Sequence, residues 1–285
     1  MSIAVEAPDA VAVPAPPSRP GRRRRWTRFL LPSYVALVIL YLMTPIFMII
    51  LYGFNQTGTA GRITVSYVWH GFTLDWYRRL FQIPDLTEAL RTSLVLASSS
   101  TAIATVLGTF IALALRRYRF RGSGATDVVL FANIAAPEIV LGASLLSLFV
   151  LVGFTRGFST LLIAHVMFSI AYVTVTVRTR LAGFDRSLEE AAQDLGAGPF
   201  QTFRLVTLPL IFPGILAGAL LAFALSIDDF VITQFNAGQE VTFPLWVFGA
   251  SRVGIPPQVF VMGTLIFTFG ALLAAANVLL QRRKA

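Results

Sequence analysis

A chain of 285 residues with 56% hydrophobic and only 13% charged residues and a mean hydropathy of +0.73 is too apolar for a water-soluble domain, and its apolarity comes in blocks, as in a polytopic membrane protein. A net charge of +9 raises the question of a nucleic-acid partner, but a basic nucleic-acid surface needs a soluble module to display it, and none is visible. The chain has no cysteine, which excludes disulfides and thiolate metal sites.

Residues 1–28 begin rich in Ala, Pro and Val without a periodic apolar face and end in the run Arg22 to Arg25, which predicts a disordered basic cytoplasmic tail. The apolar block 29–53 that follows is long enough to cross a bilayer and lacks a small-residue cleavage site, so it reads as span one and an uncleaved signal anchor. Segment 55–91 is expected outside the cell. Its Trp69, Phe72, Trp76, Tyr77 and Phe81 suit a headgroup-level aromatic belt or, alternatively, a platform for an external binding protein.

Span two is expected at 92–115. Its Ser98 to Thr101 hydroxyls have no base nearby in sequence and suit close helix contacts better than nucleophilic chemistry. Span three, 127–153, contains Pro137 and Glu138. A carboxylate at that depth must be paired with an Arg or helix end, or face a translocation path, and the path is the preferred reading. Span four, 158–177, carries His165, which fits either a hydrogen bond between packed helices or a place in the path.

Between spans four and five the polar stretch 181–209 reads E-A-A-Q-D-L-G from Glu190, then nine residues, then V-T-L-P ending at Pro209. Helix formers with early acids predict a short helix over 188–195, which Gly196 can end. A second short helix over 200–206 would align Phe200, Phe203 and Val206 on one face able to dock a partner, and Pro209 would discourage its continuation. The run resembles the EAA loop of ABC-importer permeases, matching at Glu190, Ala191, Ala192, Gly196, Leu208 and Pro209, with Val206 where Ile is usual. The resemblance implies that this loop sits in a groove of a cytoplasmic ATPase.

Span five, 210–227, ends in S-I-D-D-F-V-I-T-Q-F, and span six covers 258–280. Asp228 and Asp229 either mark the outer water interface or complement a cation, where charge-assisted hydrogen bonds and cation–π contacts suit a polyamine. This stretch, F-P-L-W-V-F-G-A-S-R-V-G-I-P-P after it, and W-H-G-F-T-L-D-W-Y with A-L-R-T-S-L before span two are similar to permeases of spermidine/putrescine ABC importers; Thr92 departs from the usual Asn.

The arginines before span one, after span two and between spans four and five, with Arg282, Arg283 and Lys284 at the end, all fall on one side if six crossings are made. That side is cytoplasmic by the positive-inside rule, with both termini in. Lys284 is the only lysine, so no Walker-type ATP loop exists here, and His70 and His165 lack metal-ligand spacing. Enzymatic activity, a cofactor and a metal are therefore not expected of this chain.

Together these features predict an all-α, six-helix, type I ABC-importer transmembrane domain over 29–285, in the plasma membrane of a prokaryote. The resemblance implies as partners a second permease subunit, an ATPase dimer that binds the ATP and Mg, an external solute-binding protein, lipid and a polyamine. Ferric ion, thiamine, phosphonate or an opine remain alternative substrates. A secondary transporter is the rival class, but it has no reason to carry an EAA-type loop.

Overall fold

The computed structural model describes residues 27–56, 68–118 and 121–282. The tail up to residue 26, with Arg22 to Arg25, and also Arg119, Arg283 and Lys284 lie outside the described residues. Two units are distinguished, residues 1–48 and 49–285. The described part of the first is most of α1 (Thr27–Tyr52), whose interior holds Pro32 and Pro45.

In the second unit the helices are α2 (Asp75–Arg78), α3 (Pro84–Arg117), α4 (Ser123–Ala135), α5 (Glu138–Leu151), α6 (Phe158–Ala182), α7 (Ser187–Asp194), α8 (Pro199–Thr202), a π-helical turn (Phe203–Thr207), α9 (Leu208–Ile227), α10 (Val231–Asn236), α11 (Phe243–Ala250) and α12 (Pro257–Arg282). An isolated bridge between Asn55 and Phe72 is the one extended pairing among the described residues. Five helices are long and apolar enough to cross a membrane, and α4 with α5 would make a sixth span if the bent pair is counted as one.

The centre of the unit is α3, α6 and α9, joined through buried Ala104, Ala112, Val173, Val177, Ile211 and Ala222. Small residues set the spacing: a Cβ on Gly108 would lie 2.9 Å from Val173, and one on Gly214 would lie 2.7 Å from Arg180. Backbones that approach this closely gain van der Waals contact where apolar burial gives no drive in lipid. Beside this core, α5 and α10 pack on α6 through Leu145, Phe149, Phe168 and Ile232.

Three expectations are corrected. Helix α3 starts at Pro84, eight residues before the apolar block 92–115, because Pro84 at its first position and Asp85 in its first turn start a helix well. At 34 residues it is about 50 Å long, well beyond a hydrocarbon core of about 30 Å, and its last turn reaches the polar loops. The single span 127–153 is in fact two helices bent by 111°. Pro137 offers no N–H and forces Ala136 into the extended region at ψ 136°, so the α-helical ladder cannot pass.

The third correction concerns Pro209, which does not stop the helix. The chain is helical without a gap from Pro199 to Ile227. Immediately before the proline the helix widens into the π turn, where the Leu208 N–H bonds the Phe203 carbonyl. The wider turn relieves the clash that a proline ring makes with the carbonyl four residues back.

Candidate coupling loop and translocation site

Segment 181–209 folds as α7, a glycine corner and α8. Asp185 accepts the Ser187 N–H at 3.0 Å ahead of α7, and the hydrogen bonds from Ser187 hold its carboxyl below the ordinary carboxylate value. At the other end Gly196 takes φ +87°, while its N–H bonds the Gln193 carbonyl and the Ala197 N–H bonds the Ala192 carbonyl. This double closure is the Schellman motif, and its left-handed residue favours glycine. Gln201 reaches back to the Gly198 N–H and caps α8.

The loop presents a rim of exposed apolar side chains: Leu195 is 90% exposed, Phe200 73% and Leu205 70%. The predicted face of Phe200, Phe203 and Val206 is divided. Phe200 points out, but Phe203 packs against the core of α3, α6 and α9, and Val206 is half-buried. At 3.6 residues per turn a spacing of three drifts around the helix, and the π turn over Phe203–Thr207 shifts the register further. Glu190 and Ala191 are exposed, Ala192 and Leu208 half-buried, and Pro209 exposed.

Sequence reasoning missed the residue beside the motif. Glu189 turns inward, and its carboxylate accepts hydrogen bonds from Arg117 at the end of α3 and from the Thr207 hydroxyl in the π turn. Arg186 donates to the Arg116 carbonyl at 3.0 Å. In the sequence Arg116 and Arg117 read only as charges that follow span two.

At the other end of α9 a buried polar chain links four helices. His165 in α6 bonds the Ser226 hydroxyl through Nδ1 at 2.7 Å and the Thr233 hydroxyl through Nε2 at 3.0 Å. Ser226 also meets Ser100 of α3 at 3.0 Å. The Asp229 carboxylate accepts the Thr233 hydroxyl at 2.7 Å, the Thr233 N–H at 2.8 Å and the Ile232 N–H at 3.3 Å, holding the start of α10. With His165 2% exposed and Asp229 8% exposed, the geometry gives both residues a bonding role between packed helices.

Asp228 is placed differently. It is exposed and is the one charged residue lining a cavity of about 980 Å³ between α9, α11 and α12, where Phe223, Phe230, Phe248 and Phe267 supply an aromatic wall. The Phe230 and Phe248 rings lie 4.7 Å apart, and the Arg252 guanidinium stands 4.9 Å over Phe248. Glu138, in the first turn of α5, is exposed. The structure thus leaves Glu138 and Asp228 exposed and buries Asp229.

Residues 53–56 and 68–83 form a packed knot. Phe54 stacks on Phe72 and Tyr77 with centroids at 5.0 Å and 4.8 Å, and the Trp76 indole donates to the Asn55 carbonyl at 2.9 Å. Trp69, Phe72 and Phe81 stay exposed. Among the described residues no cluster of His, Asp or Glu could hold a metal ion.

The model of the family described as "Binding-protein-dependent transport system inner membrane component" matches residues 104–285, which include α6, the α7–α8 loop and the Asp228 region. The chain belongs to this family. The spermidine/putrescine transport system permease protein PotC of Haemophilus influenzae is 38% identical over 256 residues, covering 90% of this chain and 97% of that protein. The putrescine transport system permease protein PotI of Escherichia coli K12 is 39% identical over 234 residues, 79% of this chain and 81% of that one. In fold, a bacterial ABC transporter involved in the import of the acidic polysaccharide alginate superposes with a TM-score of 0.63 at 18% identity, covering 93% of this chain and 99% of that chain. The fold is therefore that of a type I ABC-importer transmembrane domain, and the chain is a transport permease of the inner membrane.

Proposed function

We propose that the chain is the permease subunit of an ATP-driven polyamine importer, with spermidine or putrescine as cargo. The observation that carries this reading is the exposed Asp228 carboxylate at the end of α9, the one charged residue lining an aromatic-walled cavity, and exposed Glu138 at the start of α5 is assigned to the same path. A polyamine is a string of ammonium groups with apolar spacers, so a carboxylate with aromatic neighbours complements it. The names of PotC and PotI support the same cargo.

In this reading the exposed rim of Leu195, Phe200 and Leu205 with Glu190 docks on a cytoplasmic ATPase that binds the ATP and Mg. A second permease completes the path, an external solute-binding protein delivers the cargo, and both termini are cytoplasmic. Closure of the ATPase pair would displace the docked loops and rock the bundles between inward and outward states, a bistable rigid-body change. The test is uptake of labelled spermidine and putrescine, with the cognate partner proteins, in cells lacking other polyamine importers. Saturable uptake that depends on all subunits is expected, and its absence would leave the transport fold without this cargo.

A further inference from the structure

We infer that Glu189, the residue just before the E-A-A run, is the mechanical tie through which the docked loop moves the membrane helices. The inference rests on the ATPase-docking reading of the loop. Glu190 faces out and Glu189 faces in, so adjacent carboxylates divide the work: one is available to a partner, and the other is committed to the bundle. The Glu189 side chain is 15% exposed and that of Arg117 35%, and Thr207 is buried.

Three elements converge on this one carboxylate. Arg117 is the last residue of α3, Thr207 ends the π turn that runs unbroken into α9, and Glu189 lies in the first turn of α7. Arg117 also lies 3.4 Å from the Thr207 hydroxyl, so the triangle is closed. Arg186, the residue just before α7, ties the start of α7 to the Arg116 carbonyl as a second strut. Helices α3 and α9 are packed on each other and on α6. A push on α7 therefore reaches both α3 and α9 at a charge-assisted, partly desolvated junction, where such bonds are stronger than in water. Without the tie, α7 would be joined to the bundle by its chain ends, the Arg186 strut and packing.

The test uses the full importer reconstituted with its cognate subunits and the variants Glu189→Gln, Arg117→Gln and the exchange Arg117→Glu/Glu189→Arg. Two readouts are needed. Spin labels on Ser187→Cys and Tyr118→Cys, in a chain with no native cysteine, report the α7-to-α3 distance distribution. It should broaden in each single variant and narrow again in the exchange. Uptake per ATP hydrolysed should fall about threefold or more in the single variants, the scale on which removing one link changes coupling, while the ATPase still co-purifies. A merely structural role would lower the yield of complex and leave that ratio unchanged. Unchanged distance distributions, an unchanged ratio, or loss of ATPase co-purification would each overturn the tie. If the native assembly moves no polyamine, the cargo assignment fails separately, and the spin-label distances still decide on the tie.

Discussion

Asp228 and Asp229 are adjacent in sequence and opposite in environment. Asp229 is buried with its carboxylate held by the Ile232 and Thr233 N–H groups and the Thr233 hydroxyl, whereas Asp228 stands at the wall of the cavity between α9, α11 and α12. Helix α9 ends between the core and the opening, at Ile227, so successive side chains leave it toward different surroundings.

The first prediction separates the pair. Asp228→Asn should reduce polyamine uptake with little change in thermal stability in detergent, because the side chain stands exposed at the cavity wall. Asp229→Asn should lower stability by about 1–3 kcal/mol, the usual cost of mismatching buried hydrogen-bonding groups. Thermal unfolding followed by size-exclusion chromatography and uptake assays should show this crossed pattern; a native melting temperature for Asp229→Asn with lost uptake would move Asp229 into the path.

The second prediction concerns His165, which serves Ser226 and Thr233 at once. His165→Ala should leave these hydroxyls and the Asp229 carboxylate poorly matched, and destabilise the fold by about 2–4 kcal/mol through a cavity and unpaired polar groups. Amide exchange should quicken in α10 and at the end of α9. Unaltered protection there would remove His165 from its bonding role.

The third prediction is that side chains at Gly196 are opposed by backbone conformation and not by lack of space. A Cβ there meets nothing within 4 Å, but φ is +87°. Gly196→Val should strain the corner by about 1–2 kcal/mol, Gly196→Asn should be milder, and Gly196→Pro should be worst because the N–H bonded to Gln193 is lost. ATPase co-purification and uptake should fall least for Asn, more for Val and most for Pro, with membrane insertion preserved. Equal behaviour of all three would exclude a shaped corner.

The fourth prediction addresses sidedness. Phe243 at the start of α11 takes its N–H bond to Ser93 near the start of α3, so exposed Val253, just past α11, belongs to the end of the bundle away from the α7–α8 loop. In intact cells an impermeant maleimide should label Val253→Cys and spare Ser187→Cys until the membrane is permeabilised. The reverse pattern would invert the topology and detach the loop from any cytoplasmic ATPase.

The long spans were legible because about 20 consecutive apolar residues have few alternatives. The loop was legible because Glu190, Gly196 and Pro209 keep their spacing in one short run. What stayed hidden depends on contacts distant in sequence. Arg117 and Thr207 lie 72 and 18 positions from the Glu189 they hold, and no local pattern joins them. Asp228 and Asp229 were both readable as costly acids, but which of them is buried follows from how α10 packs against α6. The stop assigned to Pro209 failed because a π turn, a hydrogen-bond choice with no composition of its own, makes room for the ring.

The break at Ala136 and Pro137 constrains the surroundings of the chain in a bilayer. Helices α4 and α5 have 13 and 14 residues, about 20 Å each, so neither crosses the hydrocarbon alone, and their junction falls at depth if the pair forms one span. Pro137 donates no N–H to the last turn of α4, and the first turn of α5 has N–H groups with no helical acceptor. Acyl chains cannot satisfy either set. The α4–α5 corner must then face water or another polypeptide, and lipid is confined to other sides of the bundle.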